Sequence, residues 1–308
     1  MRTPHSIRRR TVVAGIAAGA AGLMLGTARG QQTSAAPGSL RGKTALVTGS
    51  TDGLGREVAM RLGALGATVI VHGRNRERGA EVVEAVKAAG GNAVFYRADF
   101  GSLAEVKALA AMIRENHDSL SLLVNNAGIW TDGSNERRTS ADGHELVFAV
   151  NYLAPYVLTH ELLPLLEKGA PSRIVNVSSI AQQPIDFDDV MLTKDFNPSR
   201  AYAQSKLAIV MLTLDLAAAL PPERITANAL HPATLMDTAM VEKAGMPARA
   251  TVAQGADAVM QLAVSPALAG KTGLYFNEQN EARANAQAYD ADARMRLKAL
   301  TRELTGVG

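Results

Sequence analysis

From Leu40 onward the chain alternates short apolar runs with longer stretches in which apolar residues recur every three or four positions. Short runs suit buried strands and the longer stretches suit amphipathic helices. Their regular alternation is the pattern of a parallel sheet covered by helices. The runs predict seven strands, over 44–47, 68–72, 93–97, 120–124, 173–177, 226–230 and 272–276, with helices in the gaps. The expected fold is α/β: one doubly wound Rossmann domain spanning residues 40–308, with a seven-stranded, mostly parallel sheet. Asp142-Gly143-His144-Glu145 predicts a helix start, because an Asp cap with Glu three residues on satisfies otherwise unpaired amides.

Residues 1–38 break this pattern. They are basic through Arg10, apolar from Thr11 to Leu25, and leave through the small-residue exit Ala28-Arg29-Gly30. A fifteen-residue apolar run falls short of the roughly 20 residues that cross a bilayer, so no stable span is expected after processing. The order Arg9-Arg10-Thr11-Val12-Val13 resembles a twin-arginine signal and leads us to expect an exported, periplasmic protein. The alternative is an uncleaved tail on a cytoplasmic enzyme, since Val12 stands where an aromatic is usual and Gly15 and Gly19 dilute the run.

Charge and cysteine content narrow the classes further. The leader holds five arginines and no acid, which exceeds the formal net charge of +3, so the body is slightly acidic and nucleic acid is not an expected partner. With no cysteine in 308 residues, disulfides, thiolate catalysis and cysteine-bound zinc are excluded, and the six scattered histidines show no ligand spacing. No metal site is expected.

Candidate chemistry begins after the first strand, at Thr48-Gly49-Ser50-Thr51-Asp52-Gly53-Leu54-Gly55. Glycines there let the backbone turn tightly and approach a pyrophosphate at a helix N-terminus. The second strand ends in Val71-His72-Gly73-Arg74, without the acid that usually holds an NAD ribose. A guanidinium at Arg74 or Arg76 suits the 2′-phosphate instead, so NADP is preferred over NAD, unless these arginines merely solvate the next helix. Farther on, Tyr202 and Lys206 lie one helical turn apart on one face. An ammonium beside a phenol favours the phenolate and brings the group closer to a useful proton-transfer range. Alone, such a pair is a common coincidence.

In order along the chain, four motifs resemble the short-chain dehydrogenase/reductase superfamily: Thr48-Gly49-x-x-x-Gly53-x-Gly55, Asn125-Asn126-Ala127-Gly128, Val177-Ser178-Ser179 and Tyr202-x-x-x-Lys206. The resemblance implies an oxidoreductase that interconverts a carbonyl and an alcohol with NADP(H). It makes Asn151, Ser179, Tyr202 and Lys206 the catalytic set, with Ser179 the donor to the carbonyl oxygen. Cofactor contacts are then expected from Gly49, Thr51, Gly53, Leu54, Gly55, Arg74, Asp99, Asn126, Ala127, Pro232 and Thr238, besides Tyr202 and Lys206. Homodimers or homotetramers are common in the family. Blander readings stand beside these roles: Ser178 and Ser179 can end a strand, Asn125 and Asn126 can bridge strands, and His231 can be a structural neighbour of the cofactor. A nucleotide-binding sensor or scaffold without turnover is the alternative of a different class.

Two departures matter. Twenty-two residues separate Ser179 from Tyr202, longer than in the commonest members, and this resembles the retinol dehydrogenase and protochlorophyllide reductase-like branch. The absence of cysteine speaks against the light-driven reductases. The interval's apolar residues either line a lipophilic pocket or pack as a surface loop. In His231-Pro232-Ala233-Thr234-Leu235-Met236-Asp237-Thr238, Ala233 replaces the family's glycine and Thr238 comes one residue late, so Thr234 rivals it as the nicotinamide contact. The stretch through Met246 and Pro247 is expected to form a substrate lid.

Overall fold

In the computed structural model, which describes residues 38–130 and 136–308, the apolar runs become one sheet. The strands are β1 (Thr44–Val47), β2 (Thr68–Gly73), β3 (Asn92–Arg97), β4 (Leu122–Asn125), β5 (Ser172–Val177), β6 (Ile225–His231), β7 (Tyr275–Asn277) and β8 (Asn280–Ala282). Their order is β3-β2-β1-β4-β5-β6-β7-β8, parallel throughout except for the antiparallel pair β7–β8. The order reverses between β1 and β4, opening a crevice at the strand C-terminal ends, where ligands of such sheets bind. The predicted leader falls almost wholly outside the described residues, which belong to one compact unit, Ser34–Gly308.

Both faces are covered, which is why the central strands read as unbroken apolar runs. Helices α1 (Gly53–Ala64), α2 (Arg76–Ala88) and α8 (Val252–Val264) enclose one core around Val58, Leu62, Val124 and Val259. On the other face, α3 (Leu103–Asn116), α5 (Ala154–Lys168) and α6 (Pro198–Ala219) enclose a larger one around Leu109, Leu158, Leu207 and Met211. The 23-residue apolar helical run Leu146–Lys168 is long enough to cross a membrane, but it is largely buried in this core. The C-terminal helix α9 (Ala291–Thr305) lies over the same face. Arg294 pairs with Asp215 at 3.0 Å, Tyr152 shares a 2.8 Å hydrogen bond with Thr301, and Leu297 is buried.

Three expectations need correction. The sheet has eight strands, because a hairpin turn at Glu278-Gln279 adds the polar edge strand β8. Glu278 takes φ +56° there, a left-handed position usually marked by glycine or asparagine, so the turn carried no signal. Ahead of it, β7 starts at Tyr275 rather than residue 272, since Gly273 turns left-handed at φ +73°. Asp142 does cap a helix, but a different one: its carboxylate accepts the Leu103 amide at 2.9 Å at the start of α3. The short helix α4 (Leu146–Phe148) is capped by Glu145, which accepts from Val147 and Phe148 at 3.0 and 2.7 Å.

Candidate active site

The glycine loop leaves β1 held from two sides. The Thr48 hydroxyl accepts from the amides of Asn126 and Ala127, both at 3.0 Å, while the Asn126 side chain donates to the carbonyls of Thr48 and Gly49 at 2.8 and 3.2 Å. Gly49 sits at φ +64°, and a β-carbon there would lie 2.8 Å from the Ala127 backbone; one on Gly55 would run into the Gly49 carbonyl. Gly53 begins α1 at φ +49°, with Asp52 as its cap and the Thr238 methyl across from it. These close approaches leave the N-terminus of α1 bare of side-chain bulk, a cradle that fits a pyrophosphate. Leu54 is buried behind it, and Thr51 fills the space that a side chain on Gly73 would need.

His72 was not anticipated in this role. Its Nδ1 accepts the Gly49 amide at 3.2 Å, its Nε2 donates to the Ala98 carbonyl at 3.3 Å, and its ring stacks on Phe100 at 4.4 Å. Burial pushes its pKa down to about 4, so the neutral ring ties the glycine loop to the segment that carries Asp99. The signal lay in its place, one residue before the close-packed Gly73. Beyond it, Arg74 is exposed and reaches to 3.9 Å from Asp99, which brings the expected 2′-phosphate and adenine contacts together. Arg76 opens α2 and Arg78 pairs with Asp52 at 3.0 Å.

At the C-terminal end of β5, Ser179 meets α6, which places Tyr202 and Lys206 on the crevice side. The Ser179 hydroxyl accepts the Ala181 amide at 3.1 Å. Burial raises the Tyr202 phenol above its ordinary range, and the hydrogen bond with Ser179 draws it partly back. Lys206 is only 4 % exposed, donates to the Val177 carbonyl at 2.9 Å and lies 5.6 Å from the centre of the Tyr202 ring. Its burial lowers its pKa to about 8. The expected lowering of the phenol by the ammonium is therefore not the dominant effect here; desolvation of both groups outweighs it. Ser178 takes the structural role, donating to the Lys206 carbonyl at 2.6 Å.

Asn151 lies in a π-helical turn, Ala149–Leu153, between α4 and α5, an irregularity that often accompanies function. Its side chain accepts the Ile129 amide at 2.8 Å and donates to the Ile129 carbonyl and the Ser205 hydroxyl, both at 3.0 Å. Gly128 fits between it and Lys206: a β-carbon would lie 3.3 Å from each. Asn125 has the bridging role, donating to Thr159 at 3.0 Å and Asn176 at 2.8 Å.

His231 is buried, its pKa lowered to about 4 by desolvation and the nearby Lys206, and it contacts Thr234 at 3.0 Å. Thr234 is thus engaged by His231, whereas Thr238 faces the glycine loop. Pro232 is buried where β6 ends. The following segment closes on itself through a Met236–Ala250 bridge and carries the short helix α7 (Ala239–Lys243). The long interval before Tyr202 is anchored at a few apolar points: Ile185, Val190 and Leu192 are buried, Gln204 donates to the Val190 carbonyl at 2.7 Å, and Ile180, next to Ser179, is exposed. Phe196 alone of its aromatics packs in the small cluster that includes Tyr202 and Ile129. Trp130, the only tryptophan, also lies beside Tyr202, with ring centres 5.4 Å apart; it stands two residues past Gly128, outside the sequence motifs.

The family of short chain dehydrogenases matches over residues 43–249. The chain is 33% identical to retinol dehydrogenase 14 of Mus musculus over 304 residues, covering 90% of each. It is 34% identical to polyprenol dehydrogenase of Mus musculus, covering 87% of this chain and 85% of that one. A short chain dehydrogenase of Escherichia coli, solved in complex with NADPH, superposes with a TM-score of 0.65 at 29% identity, over 78% of this chain and 98% of its own.

Proposed function

This chain belongs to the short-chain dehydrogenase family, an oxidoreductase acting on alcohol and carbonyl groups, and from that membership we propose an NADP(H)-dependent enzyme with Tyr202 as its general acid/base. The observation that carries the reading is the convergence of Ser179, Tyr202 and Lys206 beside the glycine cradle. Bound cofactor supplies or accepts the hydride. The cradle residues Gly49, Gly53 and Gly55 would hold its pyrophosphate, Arg74 and Asp99 would take its adenosine end, and Lys206 and Thr238 would serve its nicotinamide half.

Ser179 donates to the carbonyl oxygen and Tyr202 passes its proton to the same atom. A phenol held up by burial stays protonated at neutral pH, which suits a proton donor to a carbonyl oxygen. Lys206 retains a proton up to about pH 8 and can feed it toward Tyr202. Asn151 secures Ile129 and so the wall beside the phenol. The named activities of the retinol and polyprenol relatives support a lipophilic alcohol or aldehyde as substrate, and Phe196 and Ile129 offer the apolar surface.

Tyr202→Phe is expected to lower kcat by about 10²–10⁴-fold, the usual worth of a positioned proton donor, while NADPH affinity stays within a few-fold. Full turnover in that variant would overturn the assignment. For the cofactor, Arg74→Ala is expected to cost NADPH binding about tenfold or more through loss of a charge-assisted hydrogen bond, with NADH little changed. A wild type that prefers NADH in kcat/KM would refute the NADP reading.

A further inference from the structure

Ser179 stands just past β5, where the chain leaves the sheet and the strand ladder no longer serves its carbonyl. Two side chains do so instead. Gln182 Nε2 donates to that oxygen at 2.7 Å and the Tyr275 hydroxyl donates to it at 2.9 Å. A carbonyl oxygen has two lone pairs, so both are used and the peptide plane is fixed from two directions. On the same residue the hydroxyl accepts the Ala181 amide at 3.1 Å and bonds the Tyr202 phenol. Backbone and side chain of Ser179 are thus set together.

Both donors are themselves anchored. Tyr275, on β7, is buried, and burial pushes its phenol up to about 12, so it keeps its proton at neutral pH. Gln182 Oε1 accepts the Asn285 amide at 2.9 Å. Gln287 in turn holds Ile185, accepting from its amide at 2.7 Å and donating to its carbonyl at 3.2 Å. Tyr275, Asn285 and Gln287 all lie beyond residues 43–249, the stretch that the family model matches. One donor would satisfy the carbonyl; the second comes from a strand 96 residues away and lands on the residue whose hydroxyl meets Tyr202.

We propose that Tyr275 and Gln182 are positioning residues: by holding the Ser179 carbonyl they aim the Ser179 hydroxyl at the oxygen of the substrate carbonyl. They touch neither substrate nor cofactor. The proposal rests on the reading of Ser179 as the donor to that oxygen. Misplacing a catalytic group by about 1 Å can cost about 10²-fold in rate, so a small loss of restraint is measurable.

Tyr275→Phe deletes one hydroxyl and keeps the ring, and Gln182→Met keeps the length without the amide. In NADPH-dependent reduction of retinal by the full-length protein, each is expected to lower kcat about fivefold, the worth of one net hydrogen bond, with KM for NADPH within about twofold. A double-variant cycle separates aim from mere stability: in a Ser179→Ala background, Tyr275→Phe is expected to cost nothing further. A second readout needs no turnover. In protein with its tyrosines isotope-labelled at Cζ, the Tyr202 NMR signal is identified by its loss in Tyr202→Phe. In Tyr275→Phe it is expected to move toward its position in Ser179→Ala. Unchanged kcat in Tyr275→Phe, an equal fold loss with and without Ser179, or a Tyr202 signal that does not move would each overturn the proposal. Full activity of Ser179→Ala, or no reduction of retinal by wild type, would instead overturn the proposed function. The Tyr202 signal reports the linkage in either case, so the two failures are distinguishable.

Discussion

The titratable side chains at the centre of the candidate site are governed by desolvation more than by mutual charge. Lys206 and Tyr202 are both pushed toward their neutral forms, and Ser179 is the neighbour that opposes this for the phenol. His72 shows the same physics in a positioning role. With a folded pKa of about 4 against 6.5 for the free group, it binds fewer protons folded than unfolded between those values. Its contribution to stability is therefore complete above pH 6.5 and is lost as pH falls toward 4, in the same direction as that of His231. Urea unfolding at several pH values across this window is expected to show stability falling with acidity, and His72→Gln is expected to flatten the slope. Equal slopes in the two proteins would contradict the role given to the ring. The Tyr202–Lys206 pair was legible in the sequence because it sits within one helical turn, where spacing alone dictates a shared face. His72 was not, because its partners Gly49 and Ala98 are distant in sequence and only the sheet brings them together.

Among elements, the clearest lesson is at Asp142. Its spacing to Glu145 has the form of a capping box, yet each acid caps a different helix, since the chain turns sharply at Gly143, φ +83°. Asp142→Ala is expected to destabilise the protein by about 1 kcal/mol, the usual worth of a side-chain acceptor at a helix start, through α3, whose own N-cap Ser102 remains, rather than α4. Hydrogen exchange would show faster opening at the start of α3, with the Val147 and Phe148 amides unchanged; the reverse pattern would refute the assignment. The strands were readable because burial on both faces leaves an unbroken apolar signature, whereas β8 is a polar edge strand without one. The interval between Ser179 and Tyr202 was ambiguous for a related reason: apolar residues look alike whether they line a pocket or fill a core. Burial shows that Ile185, Val190 and Leu192 pack inward, with Phe196 beside the phenol.

For the whole molecule, the sheet order places the glycine loop, Ser179 and the β6 exit at one end of the strands, so the residues of the candidate site gather at a single crevice. We propose export by the twin-arginine-like leader, a route suited to an enzyme that folds around its cofactor before transport. Replacing both Arg9 and Arg10 by Lys is expected to shift the protein to the cytoplasmic fraction and leave the leader uncleaved; unchanged distribution would refute the proposal. The sequence by itself determined the fold class, the order of the motifs and the Tyr202–Lys206 pair, because hydrophobic period and helical spacing are local properties of the chain. Only the tertiary structure decided that His72 clamps the loop, that Thr234 is engaged by His231 while Thr238 faces Gly53, and that Trp130 stands beside Tyr202. Those facts depend on contacts between residues far apart in the chain, and packing, not spacing, selects them.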